Sequence, residues 1–467
     1  MPCPHASSGS ESEPSSRRAF VKAALAIGGT SALAACAERE RRPDADGTPA
    51  SFTTASTDSS SGRSLNAIEE LPELRASLPD RQHAWGDYIV KSQVDNPKFP
   101  QYQAFLFLDY TGSTPPTERE RRHVEAGFRT LEHAFPWGTE AQQNPTTNQG
   151  LLFTMGYADA YFERFDSSLP DSVGLQPPEA VLEQTNDDPS KADDYDAVLH
   201  LGSDVGTQVQ VAEEALLGDV DSIEETTVVG GLTGSFELAE RRTGVVGNGL
   251  PAERIDNDDI PESSPVSMGF QSAYKDTFPP EEKATIQEGP FAGSTIQQVS
   301  RLENDLQQWY DQSVDDRVEK MYSPHHTHDQ VGDTGRRLGN DSEMTESIAA
   351  QTQTDATQQG RVGHGQKLAR VRDDDFDPLV LRRGDFVSGL HGDSVLHFGG
   401  IQRTTEDFIR TRQAMDRLDL DAESEEKPIS EADDGILESI EVTNRATFLM
   451  PTRARRALPT PNPEESE

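Results

Sequence analysis

Apolar residues in this chain come in short runs, and that spacing restricts the fold more than any other feature. Ala104-Phe-Leu-Phe-Leu-Asp109, Leu151-Leu-Phe-Thr-Met-Gly-Tyr157 and Asp196-Ala-Val-Leu-His-Leu201 are each long enough for one strand. None is long enough to span a bilayer. The segments between them change period. Glu118 to Ala134 places Val124, Phe128 and Leu131 at helical spacing, and Val209 to Leu217 reads the same way. Gln103 to Tyr110 is expected as the first strand and Thr226 to Phe236 as the fourth. The order β-α-β, then β-α-β, is that of a ferredoxin-like sheet with its helices on one face.

The second half repeats the pattern. Ser294 to Val299 is a strand candidate. Leu302 to Met321 is expected as a helix on its apolar positions Leu302, Leu306, Trp309, Val314 and Val318. Val395 to Ile401, Thr405 to Leu418 and Thr443 to Met450 follow as strand, helix and closing strand. The segment Ser323 to Gln366 is polar and carries no assignable pattern, and Asp419 to Asp434 reads as an acidic loop. The expected fold class is α+β, two ferredoxin-like modules with antiparallel sheets at residues 71–265 and 266–456, followed by a disordered tail at 457–467.

Charge decides what such a scaffold meets. The 467 residues carry 42 Lys and Arg against 82 Asp and Glu, a formal net charge of −40, and only 33% are hydrophobic. Nine of the basic residues are lysine. A folded protein tolerates such a coat where concentrated salt screens self-repulsion, so the composition reads as that of a salt-loving archaeon. No basic stripe exists to meet phosphates, which excludes nucleic acid as partner. The two cysteines, Cys3 and Cys36, exclude a disulfide framework and any cysteine-built metal site.

Residues 1–36 read as an address. Ser16-Arg17-Arg18-Ala19-Phe20-Val21-Lys22 matches the twin-arginine export pattern, and a modest apolar stretch runs from Ala23 to Ala35. It ends in Leu33-Ala34-Ala35-Cys36, a lipobox whose cysteine is the expected acylation site. Residues 37–70, rich in Ser, Thr, Asp and Gly, are expected as a disordered tether. The expected location is the cell surface, with the chain exported and held to the membrane through its lipid.

Chemistry must then rest on His, Arg and carboxylates. Gly363-His364-Gly365-Gln366-Lys367-Leu368-Ala369-Arg370 is followed, 18 residues after the histidine, by Arg382-Arg383-Gly384-Asp385-Phe386 at the end of an apolar run. Further on come Arg301 with Asp305-Leu306 and Trp309, Val395 to Arg403 with Phe408, and Ile436-Leu437-Glu438 before Thr447-Phe448-Leu449-Met450-Pro451. In this order, over about residues 80 to 455, the sequence resembles the dye-decolourising (DyP-type) haem peroxidases, which belong to the dimeric α/β barrel superfamily. The resemblance implies haem b as cofactor, His364 as ligand to the iron, Glu438 as acidic partner of that histidine, and Arg382 as the cationic group facing peroxide. It implies reduction of hydrogen peroxide at the expense of an external electron donor. Further copies of the chain are conceivable partners.

One departure stands out. Where the family carries Gly-x-x-Asp-Gly, this chain reads Gly269-Phe270-Gln271-Ser272-Ala273, so the family's aspartate is Ser272 here. Asp276 is the nearest carboxylate in sequence and is taken as the candidate replacement. Without an acid at this face, a haem-handling or iron-release protein, or a cofactor-free surface protein on the same scaffold, are the alternative readings. Outside the resemblance, His325-His326-Thr327-His328 is a candidate cluster for copper, nickel or zinc, and an alternative reading is a polar loop. His391 and His397 flank Gly392-Asp393-Ser394, and His397 reads as a core residue of a strand.

Overall fold

The computed structural model describes residues 68, 70–74, 78–137, 147–148, 150–247, 250–265, 267–388, 394–416 and 433–463. Arg17, Arg18, Cys36, His391, nearly all of the 37–70 tether and most of the acidic 419–434 segment lie outside the described residues. The chain divides into two units, Met1–Ser59 and Ser60–Glu467, and everything described belongs to the second.

Ten strands are described: β1 Tyr102–Tyr110, β2 Leu152–Tyr157, β3 Ala197–Ser203, β4 Ser222–Ile223, β5 Thr226–Thr227, β6 Phe236–Val245, β7 Thr295–Asn304, β8 Leu381–Ser388, β9 Ser394–Gln402 and β10 Ile440–Met450. Eight of them close into a barrel in the order β1-β3-β2-β10-β7-β9-β8-β6, while β4 and β5 form a separate two-stranded ribbon. All the barrel pairs are antiparallel. Within each half the fourth strand lies beside the first, then the third, then the second. The fold is α+β, with the ferredoxin-like strand order occurring twice and each module contributing four strands to one barrel.

The apolar runs are continuous because both faces of the strands are covered. From β1, Ala104, Leu106 and Leu108 pack outward against Val124, Phe128 and Leu131 of the helix Glu118–Ala134 and Ala212 and Leu216 of the helix Gly206–Leu216. Phe105 and Phe107 alternate to the other face and meet Val198, Val299, Phe386 and Phe448 inside the barrel. The helix Glu118–Ala134 starts where its sequence predicts. Thr117 accepts from the Glu120 amide at 3.2 Å, and Glu120 accepts in return from the Thr117 amide at 2.6 Å.

The two seams between modules are thin. β10 and β2 are paired only at Leu449 and Tyr157, and β6 and β8 only at Val245 and Val387. A side chain completes the first seam. Gln82 accepts from the Met155 amide at 2.9 Å and donates to the carbonyls of Met155 at 3.0 Å and Pro451 at 2.8 Å, as a strand's own amide would.

Three sequence expectations are corrected. The fourth strand of the first module is Phe236–Val245, not Thr226 to Phe236. Its inward residue is Arg242, bound to both oxygens of Asp193 at 2.9 Å, so no apolar alternation marks it. The expected helix Leu302 to Met321 begins as strand: β7 runs to Asn304, and two helices follow, Leu306–Tyr310 capped by Asp305 and Val314–Met321 capped by Ser313. The unassigned stretch Ser323 to Gln366 is folded, with helices at His328–Val331, Glu346–Ala350, Thr352–Gln359 and His364–Leu368. No helix among the described residues is long and apolar enough to cross a membrane.

Candidate functional site

A cavity of about 360 Å³ lies between the outer face of the second module's strands and its helices, within the size range of small-molecule sites. Leu396 and Phe398 of β9 and Ile440 and Val442 of β10 form one wall, and Leu368 and Met415 contribute to the helical side.

His364 opens the helix His364–Leu368 and lines this cavity. The turn before it needs glycine, because a Cβ on Gly363 would meet the Tyr322 carbonyl oxygen at 2.1 Å. The helix is held on two sides. Lys367 donates to the Asp434 carbonyl at 3.1 Å and carboxylate at 2.7 Å, and Gln366 donates to Asp355 at 2.5 Å. The imidazole Nδ1 is buried with no hydrogen-bond partner. Burial, then the positive charges of Lys367, Arg382 and Arg412, pull the His364 pKa down to about 3. The ring is therefore neutral and has a lone pair to give.

Arg382 enters from β8. It donates to the Ser272 carbonyl and, at 3.3 Å, to Thr277 Oγ1. Its strand carries a bulge between Arg382 and Gly384. The extra residue turns Asp385 to the same face as Arg382, where alternation would have opposed them. Asp385 Oδ2 lies 3.6 Å from Arg382 Nη1 and accepts from Ser272 Oγ at 3.4 Å. Burial raises the Asp385 carboxyl above the usual range, against the pull of Arg382 and the Ser272 hydroxyl. The loop carrying Ser272 is fixed by aromatic donors: Trp309 Nε1 to the Met268 carbonyl at 2.9 Å, Tyr310 to Ser267 at 3.1 Å and Tyr322 to Gln271 at 3.3 Å.

Two candidates from the sequence stand elsewhere. Asp276 does not line the cavity. Its carboxylate accepts from the amide of Ser342 at 3.0 Å and its hydroxyl at 2.6 Å, and it faces a neighbouring surface groove. Glu438 is held by Lys320 and makes no hydrogen bond to His364, although the loop that carries it passes close: a Cβ on Gly435 would lie 3.1 Å from the His364 amide nitrogen. The three clustered histidines are tied apart. His325 binds Asp355 at 2.8 Å, His326 bonds Ser323 at 2.7 Å and His328 binds Asp333 at 2.6 Å. The metal-competent acidic group among the described residues is instead Asp373, Asp375 and Asp377, and Lys283 sits against it. His397 points into the barrel, 5.0 Å from Phe386 between ring centres, and bonds Ser388.

Sequence reasoning missed Asp385. Its signal was present: a carboxylate stands in the strand right after Arg382-Arg383-Gly384 and ahead of Phe386, at the end of an apolar run. Three further arginines of the cavity, Arg372, Arg412 and Arg445, were missed too. Arg372, Arg382, Arg412 and Arg445 line it against Asp187 and Asp385, an excess of positive charge in a chain of −40. Asp187 is shared by Arg412 at 3.0 Å and Arg445 at 2.6 Å. Arg372 lies over Phe376 with no carboxylate at ion-pair distance among the described residues. A neutral imidazole with an orphaned Nδ1, apolar walls and surplus guanidinium fit a flat apolar ligand that bears carboxylates and takes a nitrogen ligand, as haem does.

A family model described as a family of unknown function (DUF7405) matches residues 100–452. Compared with the curated proteins, the chain has no match. Among solved structures it is similar to DyPB from Rhodococcus jostii RHA1, at 13% identity and a TM-score of 0.48 over 78% of this chain and 97% of that one. It is also similar to the encapsulated DyP-type peroxidase from Mycobacterium smegmatis, at 13% identity and a TM-score of 0.47 over 80% and 100% of the two chains. A third is a dye-decolorizing peroxidase from Bacteroides thetaiotaomicron VPI-5482, at 15% identity and a TM-score of 0.45 over 79% and 98%.

Proposed function

The chain belongs to the family of unknown function DUF7405, and we propose that it is an exported haem b protein that reduces hydrogen peroxide and oxidises an external donor. The observation that carries this reading is His364: a neutral imidazole on the wall of an apolar cavity that also presents Arg382. Haem bound there supplies the iron and the electrons that peroxide reduction requires. The chain's own residues supply the rest. His364 would hold the iron. Leu396, Phe398 and Met415, which line the cavity, would exclude water from the bound group. Arg372, whose Nη1 donates to the Phe376 carbonyl at 3.2 Å, would meet a carboxylate of the ligand with its remaining donors. Arg382, fixed by Ser272 and Thr277, stabilises negative charge on peroxide oxygen as it develops. With Glu438 held by Lys320, the imidazole has no anionic hydrogen-bond partner to raise its basicity.

The proposal extends to the N-terminus. Arg17 and Arg18 direct export through the twin-arginine route, which suits a chain folded around its cofactor before it leaves the cell. Cys36 carries the lipid that keeps it at the surface, in salt concentrated enough to screen its charge.

Haemin titration in multimolar KCl tests the site. A saturable Soret band is expected in the wild type and lost in His364→Ala, with far-ultraviolet circular dichroism unchanged. An equal band in both proteins, or none in either, removes the haem reading. Arg382→Leu is expected to keep the band and lower peroxide turnover on the order of a hundredfold or more.

A further inference from the structure

The geometry points to Asp385 as the proton-accepting carboxylate of this cavity, with Ser272 as its hydrogen-bond donor and Arg382 as its counter-charge. The inference rests on the haem reading for its ligand, but its geometry is independent of that. Two carboxylates line the cavity, Asp187 and Asp385. Both oxygens of Asp187 are occupied by Arg412 and Arg445. Asp385 uses only Oδ2, toward Ser272 and Arg382, and its Oδ1 makes no hydrogen bond among the described residues. That oxygen is not among the sealed, unpartnered atoms of the interior either, so it opens onto the cavity. Asp385 is 7% exposed, so its proton affinity is set by few neighbours. On its own strand Arg382 faces it while Arg383, at the bulge, pairs with Glu281 at 2.6 Å; Arg372 also lines the cavity, and β9 offers Phe398 at the paired position.

The loop and the strand are complementary. A carboxylate at position 272 would stand beside that of Asp385 in a poorly solvated place, and like charges there oppose each other. Ser272 removes the conflict and donates a hydrogen bond instead. The bulge at Arg383 is what brings Asp385 to this face. The acid that sequence comparison finds missing from the loop is thus present on the strand.

The step assigned to Asp385 is a proton transfer without electrons. A weak acid HX that enters the cavity and binds as X⁻ breaks its H–X bond, and the proton goes to Asp385 Oδ1, forming the carboxylic acid. Hydrogen cyanide is a probe that stops at this point. In stopped-flow binding of cyanide to the haem-loaded protein, Asp385→Asn is expected to slow association on the order of a hundredfold with the resting Soret band unchanged. Exchange of the pair, Ser272→Asp with Asp385→Ser, is expected to restore the rate to within about tenfold of wild type, since it returns a carboxylate beside Arg382. Association as fast in Asp385→Asn as in wild type overturns the inference. A second measurement needs no haem. The infrared difference between apo wild type and apo Asp385→Asn should show a carboxylic acid band that persists to higher pH than that of a solvent-exposed aspartate and moves to still higher pH in Arg382→Leu. Absence of that band overturns the inference even if haem fails to load, whereas failed loading with the band present removes only the haem reading.

Discussion

At the scale of single residues, the barrel interior shows how tightly one aromatic ring dictates its neighbours. Gly384 and Gly399 face each other across β8 and β9, and a Cβ on either would lie 2.9 Å from Phe105 Cζ. That ring is fully buried, with Phe386 5.1 Å away and His200 4.6 Å away, so it has nowhere to retreat. Gly384→Ala is expected to destabilise by about 1–3 kcal/mol through overpacking, read as a lower urea midpoint in KCl. Phe105→Leu costs stability alone but should recover part of the loss in the Gly384→Ala background, a coupling of neighbours. Additive losses would show that the methyl is accommodated elsewhere. The same glycine ends the bulge that aims Arg382 and Asp385, so one short stretch serves both packing and site.

At the scale of elements, the seam between β2 and β10 rests on one side chain more than on backbone pairing. Gln82→Ala leaves the buried Met155 amide and carbonyl and the Pro451 carbonyl without its amide. Unmade buried hydrogen bonds of this kind cost about 1–3 kcal/mol each. The expected outcome is faster amide exchange at Met155, with β3 amides still protected. Unchanged exchange at Met155 would mean that the seam closes without Gln82. Legibility also differed by element. Leu152–Tyr157 was readable as a short apolar run and Glu118–Ala134 by the helical spacing of Val124, Phe128 and Leu131. Phe236–Val245 was not, because Arg242 neutralised by Asp193 takes the place of an aliphatic residue inside the barrel. In the stretch from Leu302 onward, helical spacing of apolar residues was present but belonged to a strand end and two capped helices, since caps at Asp305 and Ser313 override the period.

At the scale of the molecule, buried histidines set its response to acid. Burial lowers His83, His200 and His397 from 6.5 to about 3. Between those values the unfolded chain binds protons that the folded chain refuses. Their stability contribution is therefore complete above pH 6.5 and is lost as pH falls toward 3. Each histidine removes about 1.4 kcal/mol per pH unit in that window. Urea midpoints measured from pH 7 downward at constant KCl should fall, and less steeply in His200→Gln. A flat profile between about pH 6 and pH 4 would show that the rings are hydrated.

By itself, the sequence determined the α+β class, most of the strands and both helices that cover the first module, because each follows from local periodicity and the face it buries. It also turned the search for a site to histidine, arginine and carboxylate, since the chain has only two cysteines. Only the tertiary structure decided which carboxylate stands beside Arg382. Asp276 is nearer to Ser272 in sequence but turns away to Ser342, while Asp385, 113 residues distant, is brought within reach of Ser272 by a single bulge. Register and bulges place a side chain through long-range strand pairing, which leaves no trace in the spacing of the residues themselves.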